Sequence, residues 1–267
     1  MELNSPQSRL AHIESFVPKT KAELEAIKPQ IIGNPHLHVP PRPVEPVLLV
    51  SLPLSQKLFA IQKFISQFEY NYHEGNIFSD ASYGRPVSAV QHTARAIINA
   101  ALPIRCVEGV FLALYLTRAF NNVARIPLSF ESEMAGKKFG HIVLAVRGGY
   151  QGSWGALGIS RRKSLAGAPL VYPSLSALVQ YFIKGYKKCF HTVRRVRLGV
   201  PVPHDMGSSE VLNWKAVTFE IKADDSIWQA SIDTHVRSLD MPVARRSVSL
   251  SPQRRRPSPQ REGRITV

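Results

Sequence analysis

The stretch Leu102-Pro103-Ile104-Arg105-Cys106-Val107-Glu108-Gly109-Val110-Phe111-Leu112 decides how the chain is read. Proline suits the first helical position, where its missing N–H leaves no bond unmade, and an apolar run follows it. Cys106 therefore falls in a first helical turn, facing free N–H groups and the positive end of the helix dipole. That setting, with Arg105 alongside, favours thiolate over thiol. Further on, His141 opens the strand-like run His141-Ile142-Val143-Leu144-Ala145-Val146. A cysteine at a helix start and a later histidine on a strand form the layout of a cysteine hydrolase. Each also has a plainer reading: a cysteine on an apolar helix is commonly a small buried hydrophobe, and a strand histidine a satisfied structural group.

Working outward, Leu58, Ile61, Ile65 and Phe68 share one helical face, which Phe59 and Phe64 widen, with Ser55 as the expected N-cap. A loop is expected from Tyr70 to Pro86. A second helix is expected from Val87 to Ala101, and the Cys106 helix ends near Thr117. The period then changes to two, giving strands at Ile126–Phe130, His141–Arg147 and Trp154–Ser160, with a turn at Gly148–Gly152. Ser174–Tyr186 is helical again and Val193–Val200 is a further strand. Helices followed by an antiparallel sheet make an α+β domain.

That domain spans residues 46–240. Residues 1–45 read as a flexible segment with one short helix over Lys21–Ile27 and an extended run at His36–Pro43. His36 and His38 have no third metal ligand near them. From Met241 the chain holds seven arginines and one glutamate among serine and proline, a disordered Arg/Ser/Pro-rich tail. The 267 residues carry 34 Lys+Arg against 19 Asp+Glu, a net +15. The tail supplies +6 and residues 1–45 none, so +9 belongs to the core, which predicts an acidic partner. A nucleic-acid binder is the rival reading, but there is no helix-turn-helix, zinc-finger or RNP signature. Two cysteines exclude a disulfide scaffold. No apolar leader or membrane-spanning run is evident.

Read together, several stretches resemble the vasohibins, tubulinyl-tyrosine carboxypeptidases of the transglutaminase-like cysteine protease group. They are Leu102–Glu108, Tyr115–Thr117, His141–Leu144, Gly155–Arg162, Lys188–His191 and the pair Tyr70-Asn71. The resemblance covers roughly residues 50 to 215. It implies a transglutaminase-like fold and a Cys-His-Ser site at Cys106, His141 and Ser160, with Cys106 as nucleophile, His141 as base and Ser160 orienting the ring. It also implies that Arg105 and Arg161 hold the substrate's terminal carboxylate, and that Tyr70 contacts substrate near the reacting carbonyl. No metal or cofactor is implied, and a His-Glu-x-x-His motif is absent. The implied partners are the acidic α-tubulin C-terminal tail on cytoplasmic microtubules and a small vasohibin-binding protein, docked around Leu58–Phe68. A non-catalytic microtubule-binding scaffold is the remaining alternative.

Overall fold

The structure, a computed structural model, describes residues 20–31, 42–48, 51–72, 78–82, 84–149, 152–205, 207–222 and 227–239. His36, His38, the tail from Met241 and the tip of the expected turn at 150–151 lie outside these residues. In chain order come α1 (Lys21–Ile31), α2 (Leu54–Ile65), α3 (Val87–Ala100), α4 (Cys106–Leu116), β1 (Val123–Met134), β2 (Lys137–Gly148), β3 (Trp154–Leu157), a 3-10 turn (Lys163–Leu165), β4 (Ala168–Tyr172), α5 (Leu175–Lys188), β5 (Thr192–Leu198), β6 (Val217–Glu220) and α6 (Ile227–Leu239). The strands form one sheet in the order β4-β3-β2-β1-β5-β6, every neighbouring pair antiparallel. This is the expected α+β class, with helices preceding an antiparallel sheet.

Helices cover both faces of the sheet. Along β2, Ile142, Leu144 and Val146 join the core formed with α2, α3 and α4. Val143 and Ala145 join the second core with α5 and α6. Alternate side chains point to opposite faces, so a strand covered on both sides reads as one unbroken apolar run, as His141–Val146 does. Helix α4 is apolar all round because it lies innermost, buried from Glu108 to Leu116. Gly109 permits this: a Cβ there would stand 2.8 Å from Ile159 Cγ2 and 3.1 Å from Ile159 N. At the other end of α4 the buried Arg125 donates to the carbonyls of Leu114, Val202 and Pro203, taking up a carbonyl the helix leaves free.

Several expected boundaries shift. Helix α2 starts at Leu54 with Pro53 as its N-cap and no side-chain cap, so Ser55 lies inside the first turn. Phe59, expected to widen the apolar face, is 72% exposed. Strands β1 and β2 run on into a twelve-residue hairpin paired from Val123↔Gly148 to Met134↔Lys137. The two-residue turn is Ala135-Gly136, both at positive φ, as a type I′ hairpin requires. The added length is charged, and ion pairs to β5 hold it: Arg197 with Glu131 at 2.7 Å and Arg194 with Glu133 at 3.0 Å. β3 ends early, at Leu157, so Gly158–Ser160 leave the strand. Edge strands β4 and β6 and helix α6 were not anticipated.

Candidate active site

The turn before α4 is held from three sides. Tyr70 forms a parallel bridge with Ile104, where Ile104 N–H donates to Glu69 O at 2.9 Å and Asn71 N–H to Ile104 O at 2.8 Å. Glu108, buried in the first turn, accepts the Arg105 N–H at 2.7 Å. The Ser79 hydroxyl donates to its other oxygen. An acidic group three positions after the N-cap reaching back to the N-cap N–H is one half of a capping box. Arg105 is the N-cap and Cys106 the first helical residue, so Pro103 stands before the helix and not at its first position.

The thiol of Cys106 is half-buried. Backbone N–H groups of Ile142, Val107 and Cys106 itself, with the charge of Arg105, favour the thiolate, but burial outweighs them and pushes the thiol pKa up. Desolvation thus works against the thiolate that the helix start favours. The contact with Ile142 N–H sets the sulfur against β2 one residue after His141.

His141 Nε2 lies 2.8 Å from the carbonyl oxygen of Leu165. A ring nitrogen facing a carbonyl must carry the proton, so Nδ1 keeps its lone pair. Burial lowers the imidazole pKa to about 4 against a smaller opposing effect of that bond, leaving the ring neutral. The orienting bond expected from Ser160 is thus made by a main-chain carbonyl. Ser160 Oγ instead accepts the Arg162 N–H at 3.3 Å, because β3 stops at Leu157 and the chain turns away before reaching residue 160.

Arg161 carries its guanidinium carbon 5.6 Å from the ring centroids of both Tyr70 and Tyr72, and the two rings are 5.3 Å apart. Burial, followed by the nearness of Cys106, raises the Tyr70 phenol pKa, while Arg161 and Arg105 lower it. Tyr70 therefore brings the thiol and both arginines to one spot. Among the described residues Arg105 Nε is buried and has no hydrogen-bond partner, an open donor beside the thiol. Tyr70, Tyr72, Ser160 and Arg161 form one end of a cavity of about 840 Å³ that extends along Phe59 and Gln62 of α2. Leu58, Ile61, Phe64, Ile65 and Phe68, the expected docking face, are buried in the core. The cavity is lined from this stretch by Leu58 and Phe68 together with the outward-facing Phe59, Gln62 and Ser66.

Leu165, Tyr72 and Glu108 were missed in the sequence. Glu108 had a signal, the capping spacing from Arg105. Tyr72 had only its place two residues after Tyr70, and a main-chain carbonyl has none. Among the described residues no cluster of three or more His, Cys, Asp or Glu is placed to hold a metal. No helix described is long and apolar enough to cross a membrane.

The vasohibin family model matches residues 6–240. The chain is 32% identical over 250 residues to tubulinyl-Tyr carboxypeptidase 1 of Mus musculus, a match covering 92% of this chain and 66% of that protein.

Proposed function

The chain belongs to the vasohibin family, and we propose that it is a cysteine carboxypeptidase that releases the C-terminal tyrosine of α-tubulin. The observation that carries this reading is the gathering of a helix-start thiol and two guanidinium groups around Tyr70, one of them with an unpaired buried donor, while the sulfur touches β2 one residue after a neutral imidazole. An endopeptidase has no need of paired positive groups beside its nucleophile. An enzyme that must find a chain terminus does.

In this mechanism Cys106 gives its proton to His141 Nδ1 as its sulfur attacks the carbonyl before the last residue. The Leu165 carbonyl holds the ring and stabilises the imidazolium by accepting from Nε2. His141 then protonates the leaving amine, tyrosine departs, and water activated by the same ring hydrolyses the acyl-enzyme. Tyr70 stands beside the reacting carbonyl, and Arg105 and Arg161 hold the carboxylate. Ser160, next to Arg161, belongs to the substrate side. The core charge of +9 draws in an acidic tail, and added salt slows the encounter. A small vasohibin-binding protein is placed by this reading in the cavity along the outer side of α2, and the enzyme on cytoplasmic microtubules. The direct test incubates the pure protein with tyrosinated microtubules and probes for the detyrosinated end; an unchanged terminus, with or without the small partner, overturns the proposal.

The assignment of His141 predicts a pH profile. With the ring pKa near 4 in the folded protein, the acid limb of kcat/KM is expected below 6.5, the ordinary histidine value; a limb at or above 6.5 contradicts it. Stability follows the same shift. Between 6.5 and about 4 the unfolded chain takes up a proton that the folded chain refuses, so stability falls as pH is lowered through that window. His141→Gln is expected to flatten this part of the Tm–pH curve.

Ser160 and Leu165 are separated by a second measurement. Ser160→Ala leaves the Leu165 bond in place, so its acid limb is expected to coincide with that of the unaltered protein and any loss to fall in KM. A displaced acid limb would return the orienting role to the serine.

A further inference from the structure

Gly158 leaves β3 without a ladder partner, and a side chain fills the gap. Gln62 of α2 donates from Nε2 to Gly158 O at 2.9 Å and accepts the Gly158 N–H at Oε1 at 3.1 Å. A primary amide presents the same donor–acceptor pair as a peptide group, so Gln62 stands in for a neighbouring strand. The fit is close: a Cβ on Gly167 would lie 2.5 Å from Gln62 Oε1, and one on Gly158 would lie 3.0 Å from Ala166 O. Three residues beyond Gly158 is Arg161, whose guanidinium carbon lies 5.6 Å from the ring centroids of both Tyr70 and Tyr72.

We infer that Gln62 is a positioning residue for Arg161: its carboxamide fixes the exit of β3, so that the guanidinium is held ready for a chain terminus. The inference rests on the proposed reading of Arg161 as a carboxylate holder. Breaking both bonds leaves the polar groups of the buried Gly158 unpaired and frees the segment to wander. A guanidinium that must be ordered on binding weakens binding rather than the chemical step.

The test uses two tubulin-tail peptides, one ending in free tyrosine and one in tyrosine amide, and three variants of the full chain. Gln62→Met keeps length and volume without either bond. It is expected to raise KM for the free acid about five- to tenfold, with kcat within about twofold and kcat/KM for the amide unchanged. Gln62→Glu keeps the acceptor, and when its carboxyl is protonated regains a donor. Its KM relative to the unaltered protein at each pH is expected to fall as pH is lowered into the carboxyl range. Equal losses on acid and amide, or a lowered Tm with no change in their ratio, would show that Gln62 merely ties α2 to the sheet and would overturn the inference. Arg161→Ala run in parallel separates the two levels. If it fails to narrow the preference for the free acid, the reading of Arg161 falls and the inference with it. If it narrows that preference and neither Gln62 variant does, only the role of Gln62 falls.

Discussion

Cys106→Ala is expected to abolish tyrosine release, at least about a thousandfold below the unaltered protein, while leaving the fold and microtubule binding intact. The size of the effect follows from the site: the only other cysteine, Cys189, caps the far end of α5, and no bound metal is proposed that could activate a water in place of the sulfur. Alanine is tolerated at a first helical position, and the contacts it deletes are those of the sulfur with nearby backbone N–H groups. Thermal melting and cosedimentation with microtubules check the fold, and release of tyrosine from tyrosinated tubulin checks the chemistry. Cys189→Ser is the matched control and is expected to stay active. Release by Cys106→Ala at even a few per cent of the normal rate would remove the nucleophile assignment and return the chain to a binding role.

The second large effect concerns the substrate terminus. Neutralising Arg105 or Arg161 is expected to lower kcat/KM by about 10- to 150-fold, corresponding to about 1.5–3 kcal/mol for hydrogen bonds to a charged group. Arg105 is the sharper case, because its buried Nε has no partner until one arrives. Amidating the peptide C-terminus removes the same interaction from the other side. The loss is expected in the unaltered protein and largely absent from the double variant, since the two changes delete one contact. Equal cleavage of amide and free acid would mean that the arginines serve the acidic body of the tail and that the enzyme is not a strict carboxypeptidase.

The fold was legible wherever burial imposed a period. The faces of α2 and α3 and the run at His141 each carried an apolar pattern that burial on one or two sides explains. It failed where polar contacts stood in for burial. Glu131, Glu133 and Lys137 gave no strand signal, yet they extend the central hairpin, the two glutamates through ion pairs that only the folded sheet assembles. β4 contains Pro169, which an edge strand tolerates and a sequence reading takes as a break. Helix α6 carried its apolar stripe at Trp228, Ile232 and Val236 among seven polar residues and was passed over.

The site divides along a similar line. Cys106, His141, Tyr70 and both arginines are chemically distinctive and sit in recognisable stretches, and the fold brings the thiol and both arginines to Tyr70. The partner of the histidine is a peptide oxygen, to which any residue at position 165 could contribute. The resemblance implied Ser160 in its place, a side chain in a recognisable stretch. The sign of the thiol shift was also hidden, since the helix start is a local property and burial is a property of the folded chain.

That burial has a consequence for the life of the protein in a cell. Hydrogen peroxide and alkylating reagents attack the thiolate and largely ignore the protonated form. A sulfur that waits as a thiol beside a neutral ring is sheltered from oxidative loss while idle. It becomes vulnerable only during the moments when substrate is bound and the proton has moved. With Cys106 as the proposed nucleophile, its reactivity is confined to turnover.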